Sequence, residues 1–129
     1  MKSIRVSAAI IHHENMIYAT KRGKGTYKGY WEFPGGKREE GESGEEAAVR
    51  EIKEELGATI EIERFVCTVE YQYPEFFLTM DCYLASVKEG HLTLSEHSDA
   101  KWLSFSELDS LDWLPADLEV VEELKKLKP

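Results

Sequence analysis

Between Ser43 and Gly57 the chain specifies one helix whose two sides make opposite demands. Ser43 and Glu46 have the spacing of a capping box, and Gly57 is the residue type that ends helices in a left-handed conformation, so a helix is predicted over 44–56. Ala48, Val49, Ile52 and Leu56 recur at helical spacing, and that stripe must lie against a sheet. Glu51, Glu54 and Glu55 share another face at the margin of the stripe, whereas Lys53 and Glu46 lie opposite it. Like charges crowded this way repel and weaken an isolated helix. Compensation by a cation is expected, and a hard divalent ion prefers such oxygen ligands.

Around this helix the pattern is mostly strand. Ser3 to Ile11 and Met16 to Arg22 read as strands joined by a turn at Glu14-Asn15, which predicts a hairpin. Gly23 to Gly29 should be an exposed loop, Trp31-Glu32-Phe33 a short strand entering the Pro34-Gly35-Gly36 turn, and Gly41 to Ser43 a break. Thr59 to Tyr73 and Phe76 to Val87 read as long strands about a turn at Pro74-Glu75, and Ala100 to Leu103 as a further short one. Ser104 and Glu107 form a second capping box that opens a short helix. Pro115 and Asp117 precede a last amphipathic helix reaching about Lys126, with Leu118, Val121, Leu124 and Leu127 expected inside. This mixed order favours an α+β fold of sheet and helices.

A chain of 129 residues suits a single domain, 1–129, with a real core. Its formal net charge of −9 argues against a general nucleic-acid binder, so no nucleic-acid polymer is expected as partner. Lys21, Arg22, Lys24, Lys28, Lys37 and Arg38 nevertheless fall within one segment opposed only by Glu32, which suits a small polyanion. No apolar run approaches a membrane span and the N-terminus lacks a signal-peptide layout, so a cytoplasmic protein without membrane contact is expected, with a monomer favoured. Cys67 and Cys82 read as buried free thiols, and His12, His13, His91 and His97 as surface or structural groups without ligand spacing. Trp31 reads as core.

The basic segment runs into Gly36-x5-Glu42-x7-Arg50-Glu51-Ile52-x-Glu54-Glu55-x-Gly57, a glycine turn followed by the acidic helix. This combination reads as a metal-dependent phosphate site. The pattern over 36–58 resembles the signature box of the Nudix hydrolases, with one departure at Ala58, where the family usually carries a larger aliphatic residue. Trp31-Glu32-Phe33-Pro34-Gly35-Gly36 and the turn from Glu70 to Pro74 are similar to MutT-type nucleotide pyrophosphohydrolases, and Pro115-Ala116-Asp117 to the cytidine-triphosphate pyrophosphohydrolase group.

The resemblance implies an α/β/α sandwich with a mixed sheet, and a magnesium ion for which manganese can substitute. It implies metal binding by Glu54, Glu55 and the Gly35 carbonyl, with Glu51 as a further ligand and candidate general base. Glu96 matches another ligand or an alternative base. Arg50, four residues before Glu54, can orient it, while Glu42 supports the loop. Arg22 and Lys37 are candidates for phosphate oxygens, and Tyr73 and Leu78 match positions near the base pocket. Asp117 corresponds to a position where MutT-type enzymes carry an asparagine. An ionised aspartate would suit the cytosine 4-amino group, a protonated one would keep 8-oxoguanine open, and the plainer role is a helix N-cap. The implied reaction cleaves a nucleoside triphosphate to monophosphate and pyrophosphate, with 8-oxo-dGTP or CTP and modified dCTP as substrates. Alternatives are another nucleoside diphosphate derivative, or a non-catalytic nucleotide-sensing module, which would be expected to lack one of the three glutamates.

Overall fold

β1 (Ser3–His13) is the strand from which the fold is built, because both of its faces are covered. The computed structural model describes residues 2–94 and 97–127. Along Ser3 to Ile11, β1 runs parallel to β6 (Phe77–Glu89), and at Val6, Ser7 and Ala8 its other edge pairs antiparallel with β4 (Gly35–Lys37). Ala8 and Ile10 point into one apolar cluster, Ala9 and Ile11 into another. A strand buried on both faces needs an unbroken apolar run, and Ala8-Ala9-Ile10-Ile11 provides it. Each such isoleucine contributes about 1.5–3 kcal/mol by leaving water.

The predicted hairpin forms, but it is only two pairs long, His12 with Ile17 and His13 with Met16. Glu14 and Asn15 take φ of 49° and 65°, a tight reversal with two left-handed residues. β2 (Met16–Arg22) then leaves β1 and pairs along its length with β7 (His97–Ser104), which is longer than the expected Ala100–Leu103. β3 (Trp31–Glu32) pairs with the end of β2, and β5 (Thr59–Gln72) lies outermost against β6. The result is a mixed, seven-stranded open sheet.

The two helices cover opposite faces. α1 (Gly44–Leu56) has the predicted limits and capping box; Ala48 is buried, and Ile52 and Leu56 pack with Ile11, Ile60 and Ala85. α2 (Pro115–Leu127) packs Ala116, Val120, Val121 and Leu124 onto Ile10, Val69, Met80 and Cys82. Two inward assignments fail there: Leu118 and Leu127 are exposed. The helix begins at Pro115 rather than after Asp117, and its buried stripe runs through 116, 117, 120, 121 and 124, which leaves Leu118 and Leu127 outside. The short helix opened by Ser104 is a 3₁₀ turn over Phe105–Ser110. No helix among the described residues is long and apolar enough to cross a membrane.

Trp31 is buried as expected, and its backbone ties two distant parts of the chain together. Its N–H donates to the Asp112 carbonyl at 2.8 Å, its own carbonyl accepts the Leu114 N–H at 2.9 Å, and Phe33 stacks on Trp113 at 4.7 Å. β3 is thereby fastened to the chain that opens α2.

Candidate active site

The glycine turn meets the acidic helix at Gly36. A Cβ on this residue would overlap the Glu51 carboxylate, and one on Gly35 would overlap the Ser7 carbonyl oxygen. Only glycines let β4 lie this close to β1 on one side and to α1 on the other.

Arg50 occupies the centre of the acidic face. Its Nε and Nη2 donate to the two Glu42 carboxylate oxygens at 2.6 and 3.0 Å, and Nη2 also donates to the Lys37 carbonyl at 2.9 Å. Nη1 donates to Glu51 at 3.0 Å and to Glu54 at 3.1 Å. Pairing with Glu42 first, then with Glu51 and Glu54, raises the Arg50 pKa. Glu42 moves down, held by Arg50 and by the Glu39 N–H at 2.9 Å. This arrangement resolves the repulsion expected from three glutamates on one face: the compensating charge within the chain is a planar guanidinium that binds carboxylates in a fork. Among the described residues no three His, Cys, Asp or Glu side chains converge on a single metal-sized point.

Glu55 approaches His97 and lines a cavity. Its carboxylate is 3.8 Å from His97 Nε2, and the same nitrogen is 3.8 Å from Glu32, which accepts from Arg22 Nη1 at 3.0 Å. Burial raises the Glu32 pKa, and the Arg22 charge opposes that shift. Arg22 Nε is buried and lacks a hydrogen-bond partner among the described residues.

A cavity of about 440 Å³ links these groups to the start of α2. Arg22, Gly35, Gly36, Lys37, Glu55 and His97 line one end, and Tyr73, Leu78, Met80, Phe33 and Asp117 the other. Arg50, Glu51 and Glu54 sit outside the wall, with Glu51 reaching it through Gly36. The volume is in the range of small-molecule sites. At the far end Asp117 is only 3% exposed, and its Oδ2 accepts the Phe33 N–H at 2.9 Å. Burial, and next the nearby Glu32 charge, push this carboxyl well above the usual carboxylate range. Asp117 is therefore not an N-cap, since it lies inside the helix with its carboxyl turned to β3. Tyr73 is buried beside it, its hydroxyl accepting the Ala116 N–H at 3.1 Å and its pKa pushed by burial to about 12.

A NUDIX domain matches residues 1–124. The chain belongs to the NUDIX domain family. It is 35% identical to an 8-oxo-dGTP diphosphatase of Escherichia coli over 98% of this chain and 100% of that one. It is 32% identical to a CTP pyrophosphohydrolase of the same organism over 99% and 96% of the two chains. The crystal structure of a MutT NUDIX hydrolase from Burkholderia pseudomallei matches with a TM-score of 0.88 at 26% identity, covering 96% of this chain and 99% of that one.

In this Nudix hydrolase the box residues thus divide between an Arg50-centred cluster and a cavity wall. Nudix hydrolases act on nucleotide substrates and in general require a divalent metal. The donor chemistry fits such an ion, being all oxygen, and the gap at Gly36 leaves backbone and carboxylate side by side, while the described carboxylates are drawn to Arg50 and not to one point. Glu96 lies outside the described residues. Sequence reasoning passed over Glu32 and His97 as site residues. Glu32 had a signal in the Trp-Glu-Phe entry to the glycine turn, whereas His97 had none, because its place is set by pairing with Arg22 across strands.

Proposed function

We propose that this Nudix hydrolase cleaves nucleoside triphosphates to monophosphate and pyrophosphate with magnesium, and that it acts preferentially on oxidised guanine nucleotides such as 8-oxo-dGTP. The observation carrying this reading is the single cavity that runs from Gly35 and Glu55 to the buried Asp117. One end supplies oxygens and cations for a polyphosphate, and the other an apolar slot with one polar reader.

In this reading Glu51, Glu54, Glu55 and the Gly35 carbonyl hold the metal, with Glu96 as a further ligand. A bound magnesium ion would screen the phosphate charge and help activate water. Glu51 takes the proton from the attacking water, held in place by Arg50 and by the backbone at Gly36. Glu54, which accepts from Arg50 here, would supply its carboxylate to the metal, and Glu42 keeps the guanidinium in position. Arg22 and Lys37 hold phosphate oxygens, and the spare Nε of Arg22 supports its part.

The base reading rests on the protonation state of Asp117. A neutral acid has one oxygen that donates and one that accepts, which matches the pattern of an amide. Oδ2 already accepts from Phe33, so the proton belongs on Oδ1 and faces the ligand's acceptor. A guanine, normal or oxidised, presents O6 beside N1–H, an acceptor next to a donor, to that edge, and the preference for the oxidised base is supported by the similarity to the 8-oxo-dGTP diphosphatase. Tyr73 and Leu78 close the apolar walls. The test is a panel of normal and oxidised nucleoside triphosphates ranked by kcat/KM with and without magnesium. The reading requires 8-oxo-dGTP to lead and chelation to abolish turnover. A lead for CTP or 5-substituted dCTP would transfer the site to cytosine, and no turnover of any nucleotide would favour a sensing module.

A further inference from the structure

Cys67 and Cys82 are direct register partners on β5 and β6, and both are free thiols. Cys82 is fully buried in the cluster beneath α2, and Cys67 packs half-buried against the same cluster. Opposed Cα atoms in an antiparallel pair lie about 4.5–5.5 Å apart, inside the roughly 4.4–6.8 Å that a disulfide spans. The register shifts between Phe65 and Cys67, so the chain just before Cys67 is not locked to its neighbour. β5 is also the outermost strand, which leaves Cys67 approachable from its open edge.

The two sulfurs differ in character. Hydrogen bonding from Cys82 favours the Cys67 thiolate, whereas that same bond and burial hold Cys82 protonated. Glu119 and Glu123 of α2 lie near enough to oppose negative charge at Cys67, and an uncharged oxidant suits that surface better than an anionic one. On the same face, Val69–Met80 and Tyr71–Leu78 are the next two rungs along, and Met80 and Leu78 belong to the cavity wall.

We propose that Cys67 and Cys82 are an oxidation site, at which a neutral hydroperoxide converts the facing thiols into an intramolecular disulfide that staples β5 to β6 beside the cavity wall. The Cys67 thiolate attacks the peroxide, the O–O bond breaks, and Cys67 becomes a sulfenic acid as water or an alcohol leaves. The Cys82 thiol then attacks the Cys67 sulfur. The S–S bond forms, the S–O bond breaks, and the hydroxyl group leaves with the thiol proton as a second water. The two sulfurs give up two electrons, and one peroxide is reduced per disulfide.

The experiment exposes the reduced full chain to hydrogen peroxide, quenches by alkylation in denaturant, and reads intact mass and non-reduced peptides. The expected result is joint loss of both thiols, a mass lower by two hydrogens and one Cys67–Cys82 peptide, all reversed by dithiothreitol. The oxidised chain should also melt several degrees higher, because the short loop is closed in its unfolded state. In Cys82→Ser, and in Cys82→Ala should serine be poorly tolerated in the core, Cys67 should stop as a dimedone-reactive sulfenic acid. In Cys67→Ser the buried Cys82 thiol should survive. Retention of both thiols in the oxidised wild type, gain of oxygen at Cys67 without a crosslink, or bridging between two chains would each overturn the assignment.

Discussion

The Phe33 N–H donates to Asp117 Oδ2 at 2.9 Å, joining the strand that enters the glycine turn to the first turn of α2. A carboxyl at a helix N-terminus is ordinarily favoured in its charged form by the helix dipole. Here burial prevails, and the acid is held toward its neutral form. The fastening of Trp31 to Asp112 and Leu114 makes this contact possible, because it places Phe33 directly over the start of the helix. Packing of two segments, one bearing Trp31 and Phe33 and the other Trp113, therefore sets the chemistry of the proposed base reader.

If neutral Asp117 reads the base, an amide can replace it. Asp117→Asn should preserve the order of substrates in a kcat/KM panel. Asp117→Ala should lower kcat/KM for the preferred base by about ten- to hundredfold, the cost of leaving a buried polar partner unsatisfied. A reordering of the panel in Asp117→Asn would mean that the ionised form does the reading.

The same residue should leave a mark on stability. An unfolded aspartate titrates near the ordinary value of 3.8, and the folded one well above it. Between those two values the folded chain keeps a proton that the unfolded chain has lost, so stability falls as pH rises through that window and levels off above it. Glu32, also raised by burial, adds to the same slope. Urea unfolding at a series of pH values should show a shallower fall for Asp117→Asn than for the parent chain. Equal slopes would mean that Asp117 is ionised in the folded protein.

The parts of the site written in contiguous residues were legible in the sequence. The Ser43–Glu46 box and Gly57 delimited α1, and the Arg50 pairing with Glu54 followed from a spacing of four residues. What depended on distant pairing was not legible. His97 reaches Glu55 and Glu32 only because β7 pairs with β2 through a shift at Arg22. The buried stripe of α2 was misplaced because a helix starting at Pro115 turns Ala116 and Val120 inward, and alternating leucines gave a competing pattern. That Asp117 faces β3 is a consequence of the Trp31–Trp113 bridge, which no local periodicity records.

Gly36→Ala separates the two uses of the glycine turn. Its Cβ would meet the Glu51 carboxylate, a side chain that can swing away, whereas a Cβ on Gly35 would meet the Ser7 carbonyl, which cannot. Gly35→Ala should therefore cost about 1–3 kcal/mol of stability in urea unfolding. Gly36→Ala should cost less stability and reduce kcat instead, by displacing the proposed base. Equal thermodynamic losses in the two variants would remove this distinction.

Glu42 and Arg50 offer a test of the outer cluster. Glu42 titrates below its ordinary 4.5 because Arg50 and the Glu39 N–H hold its charged form. Its contribution to stability is present above that value and is lost as pH falls through the folded one. Glu42→Gln should flatten the acid limb of the stability profile, and an unchanged limb would mean that the ion pair is not formed in solution.

Glu51 is the residue on which the proposed chemistry turns. It combines a hydrogen bond from Arg50, contact with the backbone at Gly36 and a largely buried carboxylate. Glu51→Gln keeps the shape and the Arg50 contact but accepts no proton and binds metal poorly. Turnover should fall by about 10²–10⁴-fold, as for loss of a general base, with circular dichroism and melting close to those of the parent. Arg50→Lys should give a smaller loss, since one ammonium cannot fork to Glu42 while holding Glu51 and Glu54. Near-normal turnover in Glu51→Gln would transfer the role of base to another carboxylate, and Glu96→Gln would then be the variant that loses activity.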